Sequence, residues 1–250
     1  MNAASLALTL LLAPAIAVAL MGETPVLADM APSHSSPGWT KQGASLLYYD
    51  TDGSLTQEIP LRGGDESGLP RELRGGTSTD GRLAWTLEGR QVWNPLKSKT
   101  AQTRRMLRLY GSAGQELWKD DGVDLPERGE PVIFSADGQI LLLARRTDED
   151  WSVEARTWMG VLLAGVGPFP RPISMALTPN GRFALARWGV LDKSDTHTFF
   201  DIAAKKRQDV PSSSLLLGLA RIGDDGVARS GSKVVLSFET AVSSAPATAK

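Results

Sequence analysis

Apolar residues along the chain fall in short runs, and the residues between the runs are those that turn a backbone. Leu46-Leu47-Tyr48-Tyr49, Leu107-Arg108-Leu109-Tyr110 and Thr198-Phe199-Phe200-Asp201-Ile202 are each followed within a few positions by Gly, Asp or Lys. Runs of this length, bounded by turn residues and rich in Leu, Phe and Tyr, predict strands. The Leu-rich pieces near Leu141 and Leu162 are equally short and flanked by Gly or charge, so they too are expected to be buried strands rather than helices.

One phrase recurs. Ser78-Thr79-Asp80-Gly81-Arg82-Leu83-Ala84-Trp85, Ser135-Ala136-Asp137-Gly138-Gln139-Ile140-Leu141-Leu142 and Thr178-Pro179-Asn180-Gly181-Arg182-Phe183-Ala184-Leu185 each place a hydroxyl residue two positions before Asp-Gly or Asn-Gly. A degraded copy runs from Gly223-Asp224-Asp225-Gly226 into Val234-Val235-Leu236-Ser237-Phe238. The pair is expected to supply the positive φ angles of a tight hairpin. Between these hairpins lies a second kind, through Gly111-Ser112-Ala113-Gly114 and Ala203-Ala204-Lys205-Lys206. Two hairpins per repeat, with the later glycines near the 40–45-residue period of a four-stranded blade, predict an all-β, propeller-like fold. The first interval is longer, and polar Asn94 to Arg104 is the candidate insertion. Half a blade is left at each end, at Leu46–Leu55 and Leu215–Phe238. The expectation is therefore about four blades, or five if one is irregular, closed by pairing of the N- and C-terminal strands so that no edge remains free. A β-sandwich is the alternative, because evenly spaced short strands fit it as well.

These Asp-Gly repeats, over most of Thr77 to Val210, resemble those of WD-repeat-like β-propellers of exported bacterial proteins. The resemblance is at the level of the repeat. It implies a radial array of antiparallel sheets, often with a binding surface, and no single activity. A regular Trp-Asp ending is missing.

Before the repeats, Met1 to Gly22 carries no charged side chain, and Leu6 to Leu20 has the length of a signal-peptide core. Val26-Leu27-Ala28 suits cleavage before Asp29, making residues 1–28 a signal peptide; an uncleaved membrane anchor is the alternative, since the n-region lacks Lys and Arg. Either reading places the body outside the cytoplasm, periplasmic or secreted. Residues 29–38 are a Pro/Ser/Gly linker holding His34, residues 39–240 a single domain, and residues 241–250 a flexible tail.

Composition narrows the chemistry. With 27 Lys and Arg against 28 Asp and Glu, there is no basic field for nucleic acid. The absence of Cys removes disulfides, thiolate nucleophiles and Cys-based metal sites. Only two His exist, so no metal site and no cofactor is expected. A Ser-His-Asp arrangement would need His197, with Asp192, Asp195 and Asp201 near it in sequence, but no nucleophile-elbow motif marks a serine. The acidic stretches Asp50-Thr51-Asp52-Gly53, Asp120–Asp124 and Asp148-Glu149-Asp150 fail the EF-hand spacing: Tyr48 and Ile59 stand where the first and last ligands around Gly53 belong. Of seven Trp, Trp85 and Trp188 follow Asp/Asn-Gly turns and are expected in the core. Trp39 and Trp93 beside linkers, and Trp151 after an acidic run, are candidate contact residues, with Arg146 and Arg187 at the ends of corresponding strands. The function expected is a non-catalytic module binding a protein, peptide or glycan through its loop face. A structural part of an envelope assembly, or a hydrolase or lyase working in the central channel, are the alternatives.

Overall fold

In a computed structural model the described residues are 37–62, 72–92, 102–148, 150–189, 195–214 and 220–238, and all belong to one compact unit. They form eighteen strands and one short 3-10 turn. Every ladder is antiparallel and every sheet is a meander, so each strand pairs with its neighbour in sequence. Blade 1 is β1 (Gly38–Gln42), β2 (Ser45–Tyr49) and β3 (Leu55–Pro60). Blade 2 is β4 (Glu72–Thr77), β5 (Ala84–Val92), β6 (Gln102–Tyr110) and β7 (Glu116–Asp120). Blade 3 is β8 (Val132–Phe134), β9 (Ile140–Thr147), β10 (Asp150–Thr157) and β11 (Leu162–Phe169). Blade 4 is β12 (Pro172–Leu177), β13 (Phe183–Trp188), β14 (Thr196–Asp201) and β15 (Lys206–Pro211). Blade 5 is β16 (Arg221–Ile222), β17 (Val227–Ser230) and β18 (Lys233–Ser237). The propeller-like reading holds, with five blades, and a two-sheet sandwich does not describe five successive meanders.

Among the described residues an apolar core lies between each pair of successive blades. Trp39, Leu46 and Tyr48 of blade 1 meet Ala84, Leu73 and Tyr110 of blade 2. Trp85, Leu87, Leu107 and Leu109 meet Leu141 and Leu143 of blade 3. Leu142, Trp151, Val153 and Phe169 meet Ala184, Ala186 and Phe200 of blade 4. Leu185, Phe199 and Val210 meet Ala228 and Leu236 of blade 5. Because successive strand residues point to opposite faces, an inner blade covered on both sides must be apolar at consecutive positions. Leu141 and Leu142, or Phe199 and Phe200, therefore serve different junctions.

Of the C-terminal half-blade expected to close the ring, residues 215–219 lie outside the described residues. Among the described residues no ladder joins β1–β3 to β16–β18, and none of the four cores contains residues of both. The β2–β3 turn, with Gly53 N–H bonded to Asp50 C=O, matches the β6–β7 turn, where Gly114 N–H bonds Gly111 C=O. Blade 1 thus holds the second to fourth strands of the repeat, and blade 5 the first three. The strand that altered the count is β1, hidden in sequence beside the Pro-Gly linker; Trp39 draws it onto blade 2. Strand β6 likewise begins at Gln102, inside the stretch expected to be an insertion.

The repeated turn differs from the expected mirror-image hairpin. Only its glycine has positive φ, near 70° at Gly81, Gly138, Gly181 and Gly226, while Asp80, Asp137 and Asn180 do not. Gly81 N–H donates to Ser78 C=O at 3.0 Å, closing a type I turn that Gly81 ends in the left-handed region. The hydroxyl is the clasp. Ser135 Oγ–H donates to Asp137 Oδ1 at 2.6 Å and accepts from Ile140 N–H at 3.0 Å; Gln139 N–H donates to the same Oδ1 at 3.0 Å. Ser78 and Asp80, and Thr178 and Asn180, repeat this with equivalent partners.

Ser135 is fully buried, so removing its hydroxyl leaves Ile140 N–H and one Asp137 lone pair to find other partners. Ser135→Ala should cost about 1–3 kcal/mol in urea unfolding, with an unchanged m-value. A loss below about 0.5 kcal/mol would show that the clasp contributes nothing net.

Candidate functional site

The Asp/Asn-Gly turns of blades 2 to 5 form a rim on which each turn is bonded to the next. At its start, Trp39 N–H of blade 1 donates to Gly81 C=O of blade 2 at 2.6 Å. Arg82 Nη2 of blade 2 donates to Asp137 C=O of blade 3 at 3.3 Å. Ala136 N–H of blade 3 donates to Pro179 C=O of blade 4 at 2.7 Å. Asn180 N–H of blade 4 donates to Asp224 Oδ1 of blade 5 at 3.0 Å, and its Nδ2 donates to Asp224 C=O at 3.2 Å. Gly81 must be glycine at this approach, since a Cβ there would stand 2.9 Å from Trp39 C=O.

A cleft of about 270 Å³ opens on this rim between blades 2 and 3. Leu83, Leu117 and Trp158 are its apolar walls, and Asp80, Arg82 and Asp137 bring charge. Trp158 is fixed from both sides: its N–H donates to Gln139 C=O at 3.0 Å, and its C=O accepts from Trp118 Nε1 at 2.9 Å. Beyond it the β10–β11 turn exposes Met159 and Val161 at 60% and 56%. Both carboxylates are ionised at neutral pH. The Ser135 hydroxyl bond, followed by the Gln139 N–H bond, holds Asp137 below the ordinary carboxylate range. Burial pushes Asp80 upward, but the bonds from Ser78 and Arg82 outweigh it and its pKa is also lowered.

The residues proposed from sequence do not converge on this cleft. Trp39 is 4% exposed; its Nε1 donates to Gly111 C=O at 2.8 Å and its ring tilts against Tyr48 and Tyr110. Trp151 is 7% exposed in the junction of blades 3 and 4, beneath the Arg171 guanidinium at 5.7 Å. Neither is an exposed contact residue, because each fills a junction between blades. Trp93 lies outside the described residues. Arg146 is half exposed, with Nε donating to Asp148 C=O at 2.8 Å and an ion pair to Asp124 at 3.8 Å. Arg187 is tied to Asp195, its Nε donating to Oδ2 at 2.9 Å. It is the cross-strand neighbour of His197, so these two are brought together, away from Arg146 on another blade.

His197 is 2% exposed, and its Nδ1 is 3.1 Å from Ser212 Oγ. A hydroxyl and an imidazole in contact are half of a nucleophilic arrangement, but Asp195, the nearest carboxylate in sequence, is turned to Arg187, and His197 does not line the rim cleft. Among the described residues no group of three His, Cys, Asp or Glu side chains is placed to hold a metal, and no helix is long and apolar enough to cross a membrane. Trp85 is core as expected, whereas Trp188 is half-buried, stacked on Phe169 at 5.7 Å. The residue that sequence reasoning missed is Trp158. Its signal was the Trp-Met-Gly at the end of the alternating strand Trp151-Ser152-Val153-Glu154-Ala155-Arg156-Thr157, where a large apolar pair precedes a turn glycine.

No protein-family model matches the sequence, and no curated protein matches it. Solved structures similar in chain path include the β-propeller domain of the Trilobed protease from Pyrococcus furiosus, at 10% identity over 56% of this chain and 43% of that one, with a TM-score of 0.40. TolB from Acinetobacter baumannii is similar at 16% identity, over 70% of this chain and 42% of TolB, with a TM-score of 0.36. A chain of the Mitotic Checkpoint Complex is similar at 14% identity, over 70% and 62%, with a TM-score of 0.37. This chain spans less than half the length of the first two.

The lowered carboxylates set a pH dependence. Their contribution to stability is complete above the unfolded carboxylate value near 4 and is lost as pH falls through the lower folded values. Urea midpoints should be level from pH 7 to about 5 and fall below about 4. Asp137→Asn, which copies Asn180 in the next blade, should make that fall shallower; an identical acid limb in the variant would remove Asp137 from the account.

Proposed function

We propose that this chain is a non-catalytic binding module whose rim cleft takes a segment of a partner protein. The observation that carries the reading is the pairing, in one cleft, of a fixed aromatic wall, Trp158, with ionised Asp137. Apolar walls with few polar groups suit one inserted side chain, and a carboxylate beside them favours a basic neighbour on the ligand. Arg82 offsets part of that charge through space, but its guanidinium is bonded to the Asp80 carboxylate at 2.6 Å, and its hydrogen bond to Asp137 goes to the main-chain carbonyl and leaves the carboxylate oxygens open to a ligand. An aromatic wall also suits a sugar face, so a glycan is the second ligand class to be tested. Export belongs to the same proposal, supported by the uncharged apolar segment from Met1 to Gly22.

Panning a random peptide library on the protein should enrich sequences that place Lys or Arg beside a large apolar residue. Trp158→Ala and Asp137→Asn should each weaken the selected peptides about tenfold or more, the cost of a lost anchor of 1.4 kcal/mol or above. Peptides that bind both variants as tightly as the parent protein would overturn the site. A glycan array that gives Trp158-dependent binding where peptides give none would replace the ligand class.

A further inference from the structure

Among the described residues the last strand of each blade has one edge without a ladder, and four of the five such strands carry charge. Strand β3 has Glu58, β7 has Glu116, Lys119 and Asp120, β15 has Lys206, Arg207 and Asp209, and β18 has Lys233. Charged side chains and proline are the usual means of keeping such an edge from pairing with another chain. Strand β11 reads Leu-Leu-Ala-Gly-Val-Gly-Pro-Phe and has no charge at all. Its only ladder is to β10, and among the described residues its other edge makes no backbone hydrogen bond. Pro168, which has no N–H, limits the usable edge to Leu162–Val166.

A groove of about 330 Å³ runs along this stretch, with Phe200 and the β14–β15 turn as its far wall. That wall is basic. Lys205, Lys206 and Arg207 are exposed there; Arg207 is neutralised by Asp209 at 2.9 Å, while the two lysines have no ion pair among the described residues. Asp201, the acidic residue of the groove, is buried and bonded to Arg182 at 3.0 Å.

We propose that the Leu162–Val166 edge of β11 is a strand-addition site for an extended acidic segment of a partner protein. The added strand would continue the blade 3 sheet, with main-chain hydrogen bonds giving affinity and its carboxylates set against Lys205 and Lys206. Leu162, at the start of the edge, offers apolar contact to alternate side chains of the guest. This surface is separate from the rim cleft and faces ligands of the opposite charge.

The test uses a labelled acetyl-EVTVEVT-amide peptide, its KVTVKVT counterpart and a backbone N-methylated EVTVEVT, titrated into the full chain by fluorescence anisotropy. The acidic peptide should bind about tenfold or more tightly than the lysine version, and N-methylation should cost a similar factor. The exposed double variant Lys205→Glu/Lys206→Glu should invert the charge preference without changing the unfolding midpoint. Equal binding of the two charge forms, binding that survives N-methylation, or no saturation up to about 1 mM would overturn the proposal. So would a concentration-dependent dimer in sedimentation that Leu162→Lys abolishes, because the edge would then belong to a second copy.

Discussion

The structure depends on a small polar clasp: a buried hydroxyl that bonds both the side chain of Asp or Asn two residues on and a backbone N–H five residues on. Three complete copies, at Ser78, Ser135 and Thr178, hold hairpin turns in one shape. A turn of fixed shape presents its outer N–H and C=O groups in fixed directions, and these are the groups that reach the next blade. Trp39 to Gly81, Ala136 to Pro179 and Asn180 to Asp224 are such links. The fourth turn puts Gly223 where the hydroxyl belongs, yet Asp225 still accepts Val227 N–H and Gly226 packs beneath the Phe183 ring.

Much of this is legible in the sequence because turn chemistry is local. Glycine at positive φ and a hydroxyl two places before Asp-Gly are short-range requirements, so they survive in the text of the chain. Doubly covered strands are legible for a related reason, since Leu141 to Leu143 and Phe199-Phe200 must be apolar on both faces. The blade count was less legible, because β1 was masked by the linker composition around Pro37-Gly38.

The candidate site was less legible still. A tryptophan beside a linker or an acidic run looks exposed in one dimension, but Trp39 and Trp151 each fill a junction between blades. Trp158 becomes a wall only because Gln139, in a repeat turn, and the Trp118 indole, from strand β7, grip its backbone. The β11 run was expected to be buried from its hydrophobicity; the ladder order makes it an edge instead. Both surfaces arise from one hairpin, β10–β11, whose turn is pinned to the rim while its last strand is left uncapped.

The central claim, that the rim links are structural bonds rather than incidental approaches, is tested most directly by native-state amide exchange. Ala136 and Asn180 lie at exposed turn positions, where an unbonded N–H exchanges at nearly the rate of a free peptide. The account predicts that their amides are protected to the same free energy as the β9 and β13 core amides, exchanging only when the whole unit opens. Exchange of either at the unprotected rate, with the strand amides still protected, would show that the turns do not hold the blades to one another.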